Sequence, residues 1–179
     1  GIDDDTFAKI IACVRIAAPY TGMIISTRES QACREKVIRY GISQISGASR
    51  TSVGGYTRPE REHDSEQFDV SDQRSLDEVV GWLLKMGYIP SFCTACYRSG
   101  RTGDRFMALC KNRQILNCCH PNALMTLKEF LMDYASPETR VAGEAVIRRE
   151  LAQILRESVR YKTEENLAKI EAGERDFCF

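Results

Sequence analysis

No sign of charge predominates in this chain: 25 Lys and Arg are matched by 25 Asp and Glu among 179 residues. That balance removes the electrostatic footprint that the phosphates of nucleic acid or an anionic membrane would attract, so neither is expected as a partner. Long apolar runs are missing too. None approaches the roughly 18 residues of a spanning helix. The opening Gly1-Ile2-Asp3-Asp4-Asp5 has neither the basic nor the apolar region of a secretion signal, so a cytoplasmic protein is expected. The eight cysteines fall below the roughly 8–10% that marks a disulfide scaffold. In a cytosolic setting a C-x-x-C pair is better used for metal than for a disulfide. Internal repeats and low-complexity tracts are absent. What remains, 43% apolar and 28% charged residues, is an ordinary globular composition, enough for one domain or two small ones.

Residues 1–56 alternate helix and strand. Phe7, Ile10, Ile11 and Val14 recur at helical spacing before Pro19, and the run from Met23 to Ile25 reads as a strand. Cys33, Val37 and Tyr40 mark a second helix closed by Gly41, and Ile42 to Ser46 a second strand. Two parallel strands cannot satisfy their outer edges, so this α/β segment implies more sheet elsewhere. Residues 57–70 are polar and aperiodic and read as a linker. From residue 71 to 179 the pattern is helical. Ser75 with Glu78 makes a capping box ahead of Leu76, Val79, Val80, Leu83 and Leu84, which Gly87 closes. Thr126 with Glu129 makes another box, and Ser136 caps a helix with Pro137 at its first position. A break is expected near residues 160–163, with helix resuming through Leu167 and Ile170 to Gly173.

Cys93, Cys96 and Cys119 stand in the spacing C-x2-C-x22-C. A C-x-x-C turn aims two thiolates at one metal, and a distant third needs the fold to deliver it. The set therefore supplies three protein ligands and leaves a fourth position to something else. Arg98, Arg101 and Arg105 bring positive charge expected to lower nearby thiol pKa values and offset an anionic cluster. Iron–sulfur is one outcome of this chemistry; zinc on Cys93, Cys96, Cys119 and His120 is the other. Cys13, Cys33, Cys110 and Cys178 read as buried or incidental thiols, while Cys118 directly precedes Cys119 and can be mistaken for the ligand on chemistry alone.

Other constellations carry less. The stretch Gly47 to Gly55 shares only its glycines with a phosphate loop and reads as a turn. His63, Asp64 and Ser65 gather triad residue types in a polar linker, where sequence neighbours seldom take triad geometry. Ser26, Arg28 and Glu29 lie just past one expected strand, and Ser46, Ser49 and Arg50 just past the next. Strand ends of this kind carry ligand contacts in α/β barrels, while solvated loop polarity explains the same residues equally well. No catalytic residue is assigned.

The block Ser91-Phe92-Cys93-Thr94-Ala95-Cys96-Tyr97-Arg98, with Gly100-Arg101-Thr102-Gly103, the spacing to Cys119 and the following Pro121-Asn122-Ala123-Leu124, resembles the HydG family. So does the segment from Pro19 to Met23 and from Ser26 to Glu29. These are the radical S-adenosylmethionine tyrosine lyases that mature FeFe-hydrogenase. The resemblance runs from about residue 10 to residue 179. It implies the carboxyl-terminal end of a (β/α)8 radical-SAM-type barrel followed by a helical iron–sulfur domain. It implies an auxiliary 4Fe-4S cluster on Cys93, Cys96 and Cys119, whose open iron takes a labile iron bridged by free cysteine. It also implies tyrosine as substrate, cleaved to p-cresol and dehydroglycine, the source of carbon monoxide and cyanide. Ser26, Arg28, Ser46 and Ser49 would then contact tyrosine. The family's C-x3-C-x2-C radical motif is absent from these residues. S-adenosylmethionine and a second 4Fe-4S cluster would therefore belong to a missing amino-terminal barrel portion, the first expected partner beside the other hydrogenase-maturation proteins. Alone, the chain is expected to be inactive.

Overall fold

A computed structural model of the chain describes residues 2–52, 54–57 and 69–179. It divides into two compact units, Gly1–Val79 and Val80–Phe179.

In the first unit, helix α1 (Asp4–Ala17) starts where the Asp3 carboxylate accepts from the Thr6 N–H at 2.9 Å. Helix α2 (Gln31–Ile38) is capped in the same way by Ser30. Between and after them lie β1 (Ile24–Ile25) and β2 (Gln44–Ile45), paired in parallel with Ile24 opposite Gln44 and Ile25 opposite Ile45. Ala8, Ile11, Ile25, Cys33 and Val37 form the core beneath this sheet. The two-stranded sheet is less than the barrel end expected. Ile24 is 68% exposed, and an apolar hollow of about 380 Å³ opens between α1 and β1, lined by Phe7, Ile10, Val14 and Ile24 among others.

The linker expected over 57–70 lies mostly outside the described residues, as do His63, Asp64 and Ser65. The division into units falls further on, within α3 (Leu76–Lys85). A buried ion pair explains the shift. Arg34, fully enclosed, pairs with Asp72 and donates to the Ser46 carbonyl, while the Asp72 N–H donates to the Thr27 carbonyl at 2.9 Å. Residues 72–79 are thereby tied to the first unit.

The second unit is helical. Short helix α4 (Ala95–Arg98) and α5 (Asp104–Lys111) lead through a 3-10 turn at Gln114–Asn117 to α6 (Cys119–Asp133), α7 (Pro137–Leu151) and α8 (Glu157–Glu171). Helix α6 is the central one, with Leu124, Leu127 and Leu131 fully buried against α7 and α8. Each such side chain stabilises the fold by about 1.5–3 kcal/mol relative to exposure. Lys128, itself buried, reaches Glu144 of α7 at 2.5 Å and Glu171 of α8 at 3.5 Å.

The capping box at Ser75 and Glu78 forms as expected, and so does the Ser136 cap. The box expected at Thr126 does not. Helix α6 begins at Cys119, and Thr126 lies inside it with its hydroxyl donating back to the Asn122 carbonyl at 3.0 Å. The expected break at 160–163 is also displaced. The chain turns between α7 and α8, where Ile154 is buried, and Thr163 sits within α8 donating to the Val159 carbonyl at 2.7 Å. No helix among the described residues is long and apolar enough to cross a membrane.

Candidate metal centre

The C-x-x-C turn enters from Ile89-Pro90 and is anchored just before Cys93. The Phe92 N–H donates to Thr126 Oγ1 of α6 at 3.2 Å, and the Phe92 ring stacks on Phe130 with centroids 5.1 Å apart. Cys93 Sγ accepts from the Ala95 N–H at 3.4 Å, a local bond that turns the chain into α4 with Ala95 buried beneath it. Cys96 lies in α4 and is half-buried, as is Cys93.

Cys118 and Cys119 share the junction between the 3-10 turn and α6, their sulfurs 4.0 Å apart. They face different surroundings. Cys118 Sγ points back to the carbonyls of Gln114 and Ile115, each at 3.7 Å. The Cys119 thiol is pushed up from its ordinary 9.0 to about 12, first by burial, then by the charge and thiol contact of Cys118, then by the charges of Cys96 and Cys93. The positive charge expected to lower thiol pKa values does not prevail at Cys119. Arg98 pairs with Asp176 at 2.8 Å and also feels the charge of Cys93, and Arg101 donates to the Phe179 carbonyl at 3.0 Å.

Thiols that disfavour one another's charge form a donor set that a soft cation would stabilise as thiolates. The sulfurs have not drawn together: among the described residues no group of three or more His, Cys, Asp or Glu side chains stands at metal-binding spacing. The residue types and their electrostatic proximity fit a thiolate-bound metal group. His120 Nε2 is buried without a hydrogen-bond partner, 3.3 Å from Glu150 Oε2 of α7. Of the remaining thiols, Cys33 is buried in the first unit and pushed up in pKa, chiefly by burial. Cys13 and Cys178 are exposed and Cys110 is half-buried.

The four candidate substrate residues lie in the first unit, past the strand ends as expected. Ser26 follows β1, its hydroxyl accepting from the Arg28 N–H at 3.2 Å, and Arg28 is exposed. Ser46 follows β2, with its N–H donating to the Ile25 carbonyl at 3.0 Å, and Ser49 is half-buried. The Arg34–Asp72 pair escaped sequence reasoning although it braces both strand-end loops. Burial would raise the Asp72 carboxyl, but bonds from Arg74 and the charge of Arg34 outweigh it and hold Asp72 below the usual carboxylate range.

A family model described as the Biotin and Thiamin Synthesis associated domain matches residues 2–89. The 2-iminoacetate synthase of Escherichia coli (strain K12) is 33% identical over 89 residues, which are 50% of this chain and 23% of that protein. Its counterpart in Salmonella typhimurium (strain LT2) is 34% identical over the same shares. Two solved structures match far more of the chain. A crystal structure of HydG, a maturase of the FeFe-hydrogenase, is 50% identical with a TM-score of 0.92, over 99% of this chain and 38% of that one. The FeFe-hydrogenase maturase HydG from Carboxydothermus hydrogenoformans is 37% identical with a TM-score of 0.68, over 93% of this chain and 34% of that one. The chain thus spans about a quarter of the length of the curated relatives it matches and little more than a third of the solved ones.

Proposed function

We propose, for a chain that is the counterpart of the carboxyl-terminal portion of HydG, that it carries the auxiliary iron–sulfur site of a radical S-adenosylmethionine tyrosine lyase serving FeFe-hydrogenase maturation. In the complete enzyme tyrosine is cleaved to p-cresol and dehydroglycine, the source of carbon monoxide and cyanide. The observation that carries this is the likeness to HydG over nearly all of the chain, together with the C-x2-C-x22-C spacing of Cys93, Cys96 and Cys119. When bound, the 4Fe-4S group supplies an iron with a coordination position that no protein side chain fills, the place for a labile iron bridged by free cysteine.

The chain's own residues divide the remaining tasks. Cys93, Cys96 and Cys119 hold the group, and α6 fixes Cys119 at its first position. Cys118, turned to the 3-10 carbonyls, stays outside the ligand set. Ser26 and Arg28, with Ser46 and Ser49 as neighbours, bind the tyrosine carboxylate or amine, for which a bidentate Arg contact is suited. The exposed Ile24 and the apolar hollow beside it support further barrel strands from the remainder of the enzyme, which also holds S-adenosylmethionine and its own cluster.

Anaerobic reconstitution tests the site: about four iron and four sulfide per chain are expected. One zinc without sulfide would instead establish a zinc-stabilised helical interaction module. In the complete enzyme Cys119→Ala is expected to abolish carbon monoxide and cyanide formation while p-cresol persists, and Cys118→Ala to change little. The reverse pattern overturns the ligand assignment.

A further inference from the structure

Residues 174–179, which follow α8, bond to both sides of the cysteine site. Toward the C-x-x-C turn, Asp176 pairs with Arg98 at 2.8 Å, and the Phe179 carbonyl accepts from Arg101 Nη2 at 3.0 Å. Toward α6, the Asp176 N–H donates to Glu129 Oε1 at 2.7 Å and the Phe179 N–H donates to Asn122 Oδ1 at 2.9 Å. Arg175 adds a fork onto Asp133, at 2.9 and 2.5 Å. Asn122 is 2% exposed and stands on the same face of α6 as Cys119, three residues on. Asp176 has a φ of 69°, a left-handed conformation that aspartate tolerates better than most side chains, and it bonds on both sides. Phe177 and Phe179 pack against the helical core.

We propose that residues 175–179 form a strap that ties the far side of the Cys93–Cys96 turn to α6, making Arg98, Arg101 and Asn122 positioning residues for the group the three thiols bind. Phe92 docks the near side of the turn directly on α6; beyond Cys96, Arg98 and Arg101 bond to the strap, which bonds in turn to Glu129 and Asn122 of α6. The inference rests on the cysteine-site reading above. The exposed Arg98–Asp176 pair is weak by itself. The half-buried bonds of Arg101 and Asn122 to one residue, Phe179, give the strap its grip. Supports of this kind behind metal ligands typically matter by roughly 10–100-fold in affinity.

The test uses the 179-residue chain reconstituted anaerobically with iron and sulfide, and reads how fast a chelator withdraws the iron. Arg101→Ala is expected to speed release roughly tenfold and Asp176→Ala by a smaller factor, its exposed pair being the weaker tie, both with unchanged far-UV circular dichroism. Arg101→Lys, which keeps a donor toward the Phe179 carbonyl, is expected to recover part of the loss. Release at the wild-type rate in both alanine variants overturns the strap. Should Arg101→Ala fail to fold, Arg101→Met, which keeps the apolar stem and removes the donors toward the Phe179 carbonyl, decides in its place. Cys119→Ala is the control for the underlying reading: unchanged iron uptake in that variant, or no uptake by the parent chain, overturns the cysteine site and the strap with it.

Discussion

Cys119 is a thiol whose surroundings oppose its ionisation, with a pKa of about 12 against an ordinary 9.0. Between those values the folded chain binds the proton more tightly than the unfolded one. The resulting stability is complete below pH 9.0 and is lost as the pH rises toward 12. In metal-free protein, urea midpoints are expected to fall from about pH 8 to about pH 10.5 more steeply for the parent than for Cys119→Ser. Parallel curves would show that this thiol does not govern the alkaline loss. Spacing singled out the Cys93–Cys96 pair, because a C-x-x-C turn is local in sequence, whereas Cys119 was chosen over its neighbour Cys118 through the family resemblance. Arg34, Asp72 and Asn122 were not legible. Their roles depend on which distant backbone and side-chain groups they meet, and charged or amide side chains in helical or polar stretches read as solvated.

Among the elements, helix caps were read where a side chain makes the cap. Ser75 and Ser136 are of that kind, whereas Cys118 at the start of α6 makes no capping bond. The start of α6 was therefore invisible, and Thr126, which bonds backward within the helix, imitated it. The α7–α8 turn was misplaced because Ile154 continues the apolar period while the chain is already leaving the helix. Close packing between α6 and α7 rests on Gly143, where an added Cβ would meet the Leu131 side chain. Leu131 is fully buried and has nowhere to swing. Gly143→Ala is expected to destabilise the helical unit by about 1–3 kcal/mol, measured by urea denaturation. A variant as stable as the parent would show that the two helices can separate freely.

For the whole molecule, sequence reasoning saw that two strands are too few but set the end of the first unit too early. The contacts that extend this unit join a buried charge pair, which sequence does not show, to the packing of Leu76 and Val79 beside Gly47. The helical unit has its own core, while the sheet leaves an edge and an apolar hollow uncovered. Limited proteolysis of the isolated chain is therefore expected to cut first before Leu76 and to leave α6–α8 intact. Equal protection of both units would contradict an incomplete sheet. The strap also has a consequence for biosynthesis. It lies about 60 residues beyond Cys119, so at ribosomal rates of roughly 5–20 residues per second its last residues emerge some 3–12 s after that cysteine. Throughout that interval Cys93, Cys96 and Cys119 exist on the nascent chain while residues 175–179 are still unmade, so a group bound that early would meet a turn docked on α6 through Phe92 but lacking the proposed strap.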